Sequence, residues 1–435
     1  MASIILAAAS FCAIVAVLLV YFDSMWLGAT VLVVVLAVGC ILEFAALSYF
    51  ARLFVRSPVL APFAAVKMQF KIMCIVAAYV GRGFKTLFPE WTFAYEVACK
   101  FMRSTFEHYG EVVAIKNAPL LQEAIRQVGE VILESSCRTH KTHPEKVQVH
   151  GMTHTWMRDN EKKQHRIIVI FYHGGGYAIA DPLQDVELAN MTHTMLQAIL
   201  HDKYHLDVSV DVLLANYRKS TTHPYPTPLN DCLDMYKYVL KHEDISPDHV
   251  IVGGDSAGAE MSLTNCIRLR DSTPELLPLA ALCYSPVVDF SETGGDELSP
   301  HCILPSAFAD TVLASYLRDV KDPIERMKVS PINNSLLNLP PVFLQWGSLE
   351  RFCKQGMRLK AKADAEGVTN IEVDILPNIV HDPVMFPSAV CPAMNTSVQH
   401  GLFHSLTKVD AIPFAKQNEE VESTNSQQGR TAAAR

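Results

Sequence analysis

Hydrophobic positions are nearly unbroken at the start of the chain: residues 1–22 carry no charged side chain, and after a lone Asp23 the run Ser24–Leu42 is again uncharged. Each run approaches the roughly 20 apolar residues that a membrane helix needs, so residues 1–50 are expected to hold one or two membrane helices. A cleaved signal peptide fits less well, because no basic stretch comes first and the apolar run far exceeds the usual ~7–15 residues of a signal core. From Glu43 to about Lys85 the chain stays apolar but gains Arg52, Arg56, Lys67, Lys71, Arg82 and Lys85. That mixture suits a juxtamembrane or interfacial helix better than a third span, and residues 51–90 are expected as a connector.

Between about Trp91 and Glu134 the spacing turns helical, with Leu120, Leu121, Ala124, Ile125 and Val128 recurring on one face, as in helices that cover a pocket. Past Pro144 short β-rich runs take over: Val147–Val149, Ile167–Tyr172, Val208–Ala215, Val250–Val252, Val342–Trp346 and Ile371–Leu376, separated by segments long enough for helices. This alternation predicts an α/β domain over residues 91–408, with a mostly parallel sheet, flanking helices and a helical cap at its start. Residues 409–435 are polar, lack tryptophan and tyrosine, and are expected to form a disordered tail.

Composition narrows the possibilities. With 50% hydrophobic and 19% charged residues the 435-residue chain buries a sizeable core, and a net charge of −8 without any long basic run excludes a nucleic-acid binder. Eleven cysteines stand singly, with no C-x-x-C pair, so neither a disulfide framework nor a zinc site is indicated. His140, His143, His150 and His154 crowd one stretch, but no cysteine or paired carboxylate joins them at metal-ligand spacing.

Gly254-Asp255-Ser256-Ala257-Gly258 fits G-x-S-x-G, follows the apolar run Val250–Val252 and precedes the helix-compatible Ala259–Arg270. Strand, sharp turn and helix are the setting in which such a serine is lifted to the carboxyl edge of a sheet; Gly254 and Gly258 keep the turn clear, and Asp255 anchors it. His173-Gly174-Gly175-Gly176 comes directly after Ile167–Tyr172, and consecutive glycines leave backbone N–H groups free to face a developing oxyanion. A serine hydroxyl also needs a base and an orienting acid, in the chain order serine, acid, histidine. Glu350 follows the strand Val342–Trp346 and His381 follows Ile371–Leu376, each just past a strand's carboxyl end; Asp382 is the competing acid.

These residues resemble the hormone-sensitive-lipase family of α/β-hydrolases, which includes arylacetamide deacetylase-like and steryl acetyl hydrolase-like esterases. Asn216-Tyr217-Arg218 with His223-Pro224-Tyr225-Pro226 and Asp231 is similar to that family's Y-R-L-A-P-E-H-P-F-P segment, with Lys219-Ser220-Thr221-Thr222 replacing its middle; Ser285-Pro286-Val287-Val288-Asp289 and Ser330-Pro331 resemble two further segments. The resemblance implies an α/β-hydrolase fold and a serine esterase acting on an apolar ester or lipid: Ser256 as nucleophile, His381 as base and Glu350 as acid, where most family members carry Asp, with N–H groups of the Gly174–Gly176 loop and of Ala257 binding the oxyanion. It implies no metal and no cofactor. An amidase shares this machinery, and a non-catalytic ligand-binding protein shares the scaffold. An endoplasmic-reticulum membrane location is expected. Basic residues after the apolar region favour a cytosolic domain, whereas related microsomal deacetylases face the lumen and the sequons at Asn190, Asn333 and Asn395 fit that side.

Overall fold

Alternate residues of the strand His165–Tyr172 point into two different cores, Ile168, Ile170 and Tyr172 into one and Ile167, Val169 and Phe171 into the other. A strand covered on both faces must be apolar throughout, which is why this run reads as a continuous hydrophobic stretch. The computed structural model describes residues 39–163, 165–291 and 299–407. Eight strands form its sheet: β1 (Thr142–Val149), β2 (Met152–Asp159), β3 (His165–Tyr172), β4 (Val208–Ala215), β5 (Val250–Asp255), β6 (Ala280–Tyr284), β7 (Val342–Gly347) and β8 (Ile371–Leu376). Their spatial order is β1-β2-β4-β3-β5-β6-β7-β8, with β2 antiparallel to both of its neighbours and the remaining pairs parallel.

All six expected strands are present. The pattern missed β2, whose Met-Thr-His-Thr-Trp-Met-Arg-Asp run mixes polar and apolar residues, and β6, whose Ala-Ala-Leu-Cys-Tyr is short and begins with two poor strand formers. Helices Thr227–His242, Ser256–Ser272 and Cys353–Ala365 supply Leu229, Leu263 and Leu359 to one core; Val186–Tyr204 and Ala393–Ser405 supply Leu196 and Val398 to the other.

The helical stretch expected from Trp91 to Glu134 is two helices, Phe93–Glu111 and Ala118–Thr139, joined through a π-helical turn at Val112–Lys116. Of the stripe on the second, Leu120 and Val128 are 55% and 61% exposed and Leu121, Ala124 and Ile125 are half-buried, while Gly129, Leu133 and Cys137 face the protein. Any side chain at Gly129 would collide with Leu183, so the helix meets the domain along its glycine. This helix therefore joins the sheet's packing through Leu133 and Cys137, rather than forming only a cover.

The chain divides into two compact units, Met1–Met73 and Cys74–Arg435. In the first, residues 39–51 are helical and the Phe50 and Phe54 rings meet at 4.9 Å. The 24-residue run Pro58–Gly81, within the expected connector, contains an 18-residue window with a mean hydropathy of 1.7 and is long and apolar enough by length and composition to cross a membrane. The first expected membrane run, most of the second and the expected tail lie outside the described residues.

Candidate active site

The parallel strands end at one edge, and there β5 gives way to Ser256, the first residue of the helix Ser256–Ser272. Ser256 has φ 48°, a left-handed conformation that costs a non-glycine residue about 1–2 kcal/mol and marks a sharp elbow. The elbow closes because Gly254 and Gly258 lie against the Tyr172 carbonyl, where neither has room for a β-carbon.

Ser256 Oγ is 2.9 Å from His381 Nε2, and His381 Nδ1 is 3.4 Å from Glu350 Oε1. The other carboxylate oxygen of Glu350 accepts from Ser285 Oγ at 2.7 Å and from Gly347 N at 2.9 Å, leaving Oε1 for the imidazole. Ser285 Oγ in turn accepts from Asp382 N at 3.0 Å, which links the acid to the histidine loop. That loop is braced from outside: Trp91 Nε1 donates to Asn378 O, Val380 N to Tyr95 Oη, and Trp91, Tyr95 and Cys99 pack with Ile379, Val380 and Phe386. The helix Phe93–Glu111, capped by Thr92 Oγ1 accepting from Tyr95 N, thus supports His381.

Asp382 stands beside His381 in the chain but turns to Asp255, not to the imidazole. Burial first, and then the charge of Asp255, push the Asp382 carboxyl well above the usual carboxylate range. Its side chain faces Asp255, which leaves Glu350 as the carboxylate facing the base. Asp255 Oδ1 accepts from Gly174 N at 2.7 Å, so the residue before the serine ties the elbow to the glycine loop.

The expected oxyanion residues divide into two groups. His173 is fully buried, its ring stacked on Tyr217 at 4.4 Å, and Gly174 N–H is taken by Asp255, so these two support the loop. Gly175 and Gly176 have φ of 92° and 57°, and among the described residues no protein group accepts their N–H. Ala257 N–H lies in the first helical turn, where no intrahelical partner exists. The proline and aromatic residues of the Asn216–Pro228 loop suit a scaffold behind the glycine loop, and Tyr217 takes that place; Lys219, Ser285 and Tyr95 carry no individual role in the sequence reading. The four histidines of residues 140–154 lie elsewhere: His140 Nδ1 contacts Thr194, His143 contacts Asn160, and buried His154, lowered to about 4 by desolvation, accepts from Asn216 N.

Residues 169–385 match a family described by the α/β hydrolase fold. The chain is 28% identical over 241 residues to an acetyl-hydrolase of Streptomyces hygroscopicus, covering 54% of this chain and 73% of that protein. It is 26% identical over 243 residues to an esterase of Acinetobacter venetianus, covering 54% of this chain and 75% of the relative. Among solved structures, the esterase LipW from Mycobacterium marinum superposes with a TM-score of 0.54 at 17% identity, over 67% of this chain and 91% of that one.

Proposed function

We propose that this chain, an α/β-hydrolase that is a carboxylic ester hydrolase, works through an acyl-enzyme on Ser256. The reading is carried by one contact, the 2.9 Å approach of His381 Nε2 to a serine held in a strained elbow. As Ser256 Oγ adds to the acyl carbonyl, His381 Nε2 takes its proton and Glu350 stabilises the imidazolium. The carbonyl oxygen becomes an oxyanion and is met by the N–H groups of Gly175, Gly176 and Ala257, fixed before the charge appears. Collapse expels the alcohol with the proton from His381, and water then repeats the sequence on the acyl-serine.

The test is fluorophosphonate labelling of the full chain, followed by hydrolysis of p-nitrophenyl esters of increasing acyl length. Labelling that Ser256→Ala abolishes supports the assignment; labelling that survives this substitution overturns it.

The substrate we infer is an apolar ester, of the kind taken by arylacetamide deacetylase-like or steryl acetyl hydrolase-like esterases, reached from an endoplasmic-reticulum membrane that anchors the N-terminal region. The uncharged runs before Leu42 and the apolar helix Pro58–Gly81 support anchoring. For the side, the basic residues Arg52 and Arg56, between the uncharged runs and that helix, favour the cytosol. One sequon on the other side of that argument loses its weight: Asn190 is fully buried and bonded to Ser136 and Thr142, closed to a glycan, whereas Asn333 is exposed. Protease treatment of intact microsomes separates the two, since protection of the domain without detergent overturns the cytosolic placement.

A further inference from the structure

The loop carrying Gly175 and Gly176 rests on a tier of polar groups to which the esterase mechanism gives no part. Lys219 Nζ lies 2.8 Å from His173 Nε2, 2.6 Å from Asn216 Oδ1 and 2.9 Å from Tyr217 O, with the Tyr217 ring 4.1 Å away. An ammonium has three N–H donors and no acceptor, so these three partners use all of its protons. His173 Nε2 must then present its lone pair, and the ring proton must sit on Nδ1. Nδ1 is 2.8 Å from Gly174 O and donates to it; Tyr217 Oη, 3.4 Å from Nδ1, is a second and longer acceptor.

Tyr217 O–H donates to His173 O at 2.8 Å and to Gly174 O at 3.1 Å, so the Gly174 carbonyl is held by two donors from one side. The Gly174 carbonyl and the Gly175 N–H belong to one trans peptide plane and point in opposite directions. Pinning the oxygen on the Lys219 side turns the N–H to the other side of the loop. Lys219 is also the first position at which the Asn216–Pro226 segment departs from the Y-R-L-A-P-E-H-P-F-P pattern it resembles.

We propose that Lys219 is a positioning residue for the oxyanion site: by fixing His173 as the Nδ1–H tautomer it holds the Gly174 carbonyl and so aims the Gly175 N–H. The proposal rests on the esterase reading given above. Lys219 faces His173 from the glycine loop, His154 from β2, Asp181 beyond the loop, and Asp231 and Cys232 from the helix Thr227–His242. Burial lowers the ammonium to about 7, partly offset by the charges of Asp181, Cys232 and Asp231. Desolvation, and then the Lys219 charge, hold His173 well below the usual histidine range, so it stays neutral. As pH rises past the lysine's value, the neutral amine can accept a proton instead of donating one, and the tautomer is released. The lysine's contribution is thus present at lower pH and lost on the alkaline side.

The test measures fluorophosphonate labelling rate, kcat and KM for wild type, Lys219→Met and Lys219→Arg from about pH 5 to 9, with ¹⁵N NMR of ring-labelled histidine. Lys219→Met is expected to lower kcat and labelling about 10- to 100-fold with KM changed less than about twofold, and to lack the alkaline decline. Lys219→Arg, permanently charged, is expected to stay within about fivefold of wild type without that decline. Wild-type His173 is expected as the Nδ1–H tautomer. Wild-type rates and pH profile in Lys219→Met, or a wild-type Nε2–H tautomer, overturn the proposal; the tautomer measurement needs no variant to fold. A wild-type protein that fluorophosphonate does not label overturns the esterase reading instead.

Discussion

Two arms converge on Ser256, and they are held in different ways. The base arm runs through a carboxylate, Glu350, one of whose oxygens is locked by Ser285 and Gly347 while the other meets His381 only at 3.4 Å. The oxyanion arm is pinned on both ends of its first glycine, the Gly174 N–H by Asp255 and its carbonyl by His173 and Tyr217. The difference fits the work each has in the proposed acyl transfer. An imidazole that gains and loses a proton needs an acid contact that tightens as positive charge appears, so a looser resting contact suits it. An oxyanion donor contributes most when nothing has to reorganise as charge develops, so it is fixed beforehand.

The comparison breaks most completely where the arms meet. Ser256→Ala is expected to remove labelling and to lower ester turnover about 10⁴- to 10⁶-fold with the fold intact, as read by circular dichroism. His381→Ala is expected to be nearly as severe, and near-normal turnover there would move the base to another histidine. Within the base arm, Glu350→Gln is expected to cost about 10³- to 10⁴-fold in kcat, because the amide no longer stabilises the imidazolium. Asp382→Asn is expected to cost less than about tenfold, since this side chain faces Asp255 and not the imidazole, and an amide N–H can donate to Asp255. The reverse ranking in steady-state rates would make Asp382 the acid.

One tier out, the arms should respond alike in size and differently in kind. Tyr217→Phe deletes the donor to His173 O and Gly174 O, and about a tenfold fall in kcat with little change in KM is expected. Ser285→Ala frees Glu350 Oε2 and the Asp382 N–H, and a similar fall is expected with an altered pH profile, because it is the base that loosens. Matching pH profiles for the two variants would remove the distinction between the arms.

How far the site was readable follows the same division. Ser256, His381 and Glu350 stand at strand ends after apolar runs, so periodicity and chain order find them. The supports do not announce themselves in sequence. Tyr217 and Lys219 lie more than forty positions from the glycine loop they hold, and Ser285 reaches Glu350 across 65 positions. Among the strands, β3, β5 and β7 begin with or carry apolar runs because they are covered on both faces, whereas β2, at the antiparallel side, alternates too irregularly to register. In Ala118–Thr139 apolar spacing locates a stripe that is only partly covered, while the closest approach of that helix is set by Gly129.

The smallest effect on rate should come from the joint behind both arms, and there it is stability that responds. Glu260 lies one turn past Ser256, buried, accepting from Tyr177 O–H at 3.0 Å and Thr264 O–H at 2.6 Å. Tyr177 directly follows Gly176, so this carboxyl links the end of the oxyanion loop to the helix carrying the nucleophile. Burial raises it from 4.5 to about 7 in the folded protein. The folded state therefore holds the proton more tightly than the unfolded chain. Its stability is greatest below the unfolded value, falls as pH rises between the two, and carries the full charge penalty above about 7, on the order of 3 kcal/mol. Glu260→Gln keeps an oxygen for one hydroxyl and carries no charge. We expect its turnover to stay within about threefold of wild type, with a melting temperature no higher than wild type near pH 5 and higher by several degrees above pH 8. A melting-temperature difference that is the same at both pH values would show that Glu260 is not charged at the cost of stability, and that the joint is held by its hydrogen bonds alone.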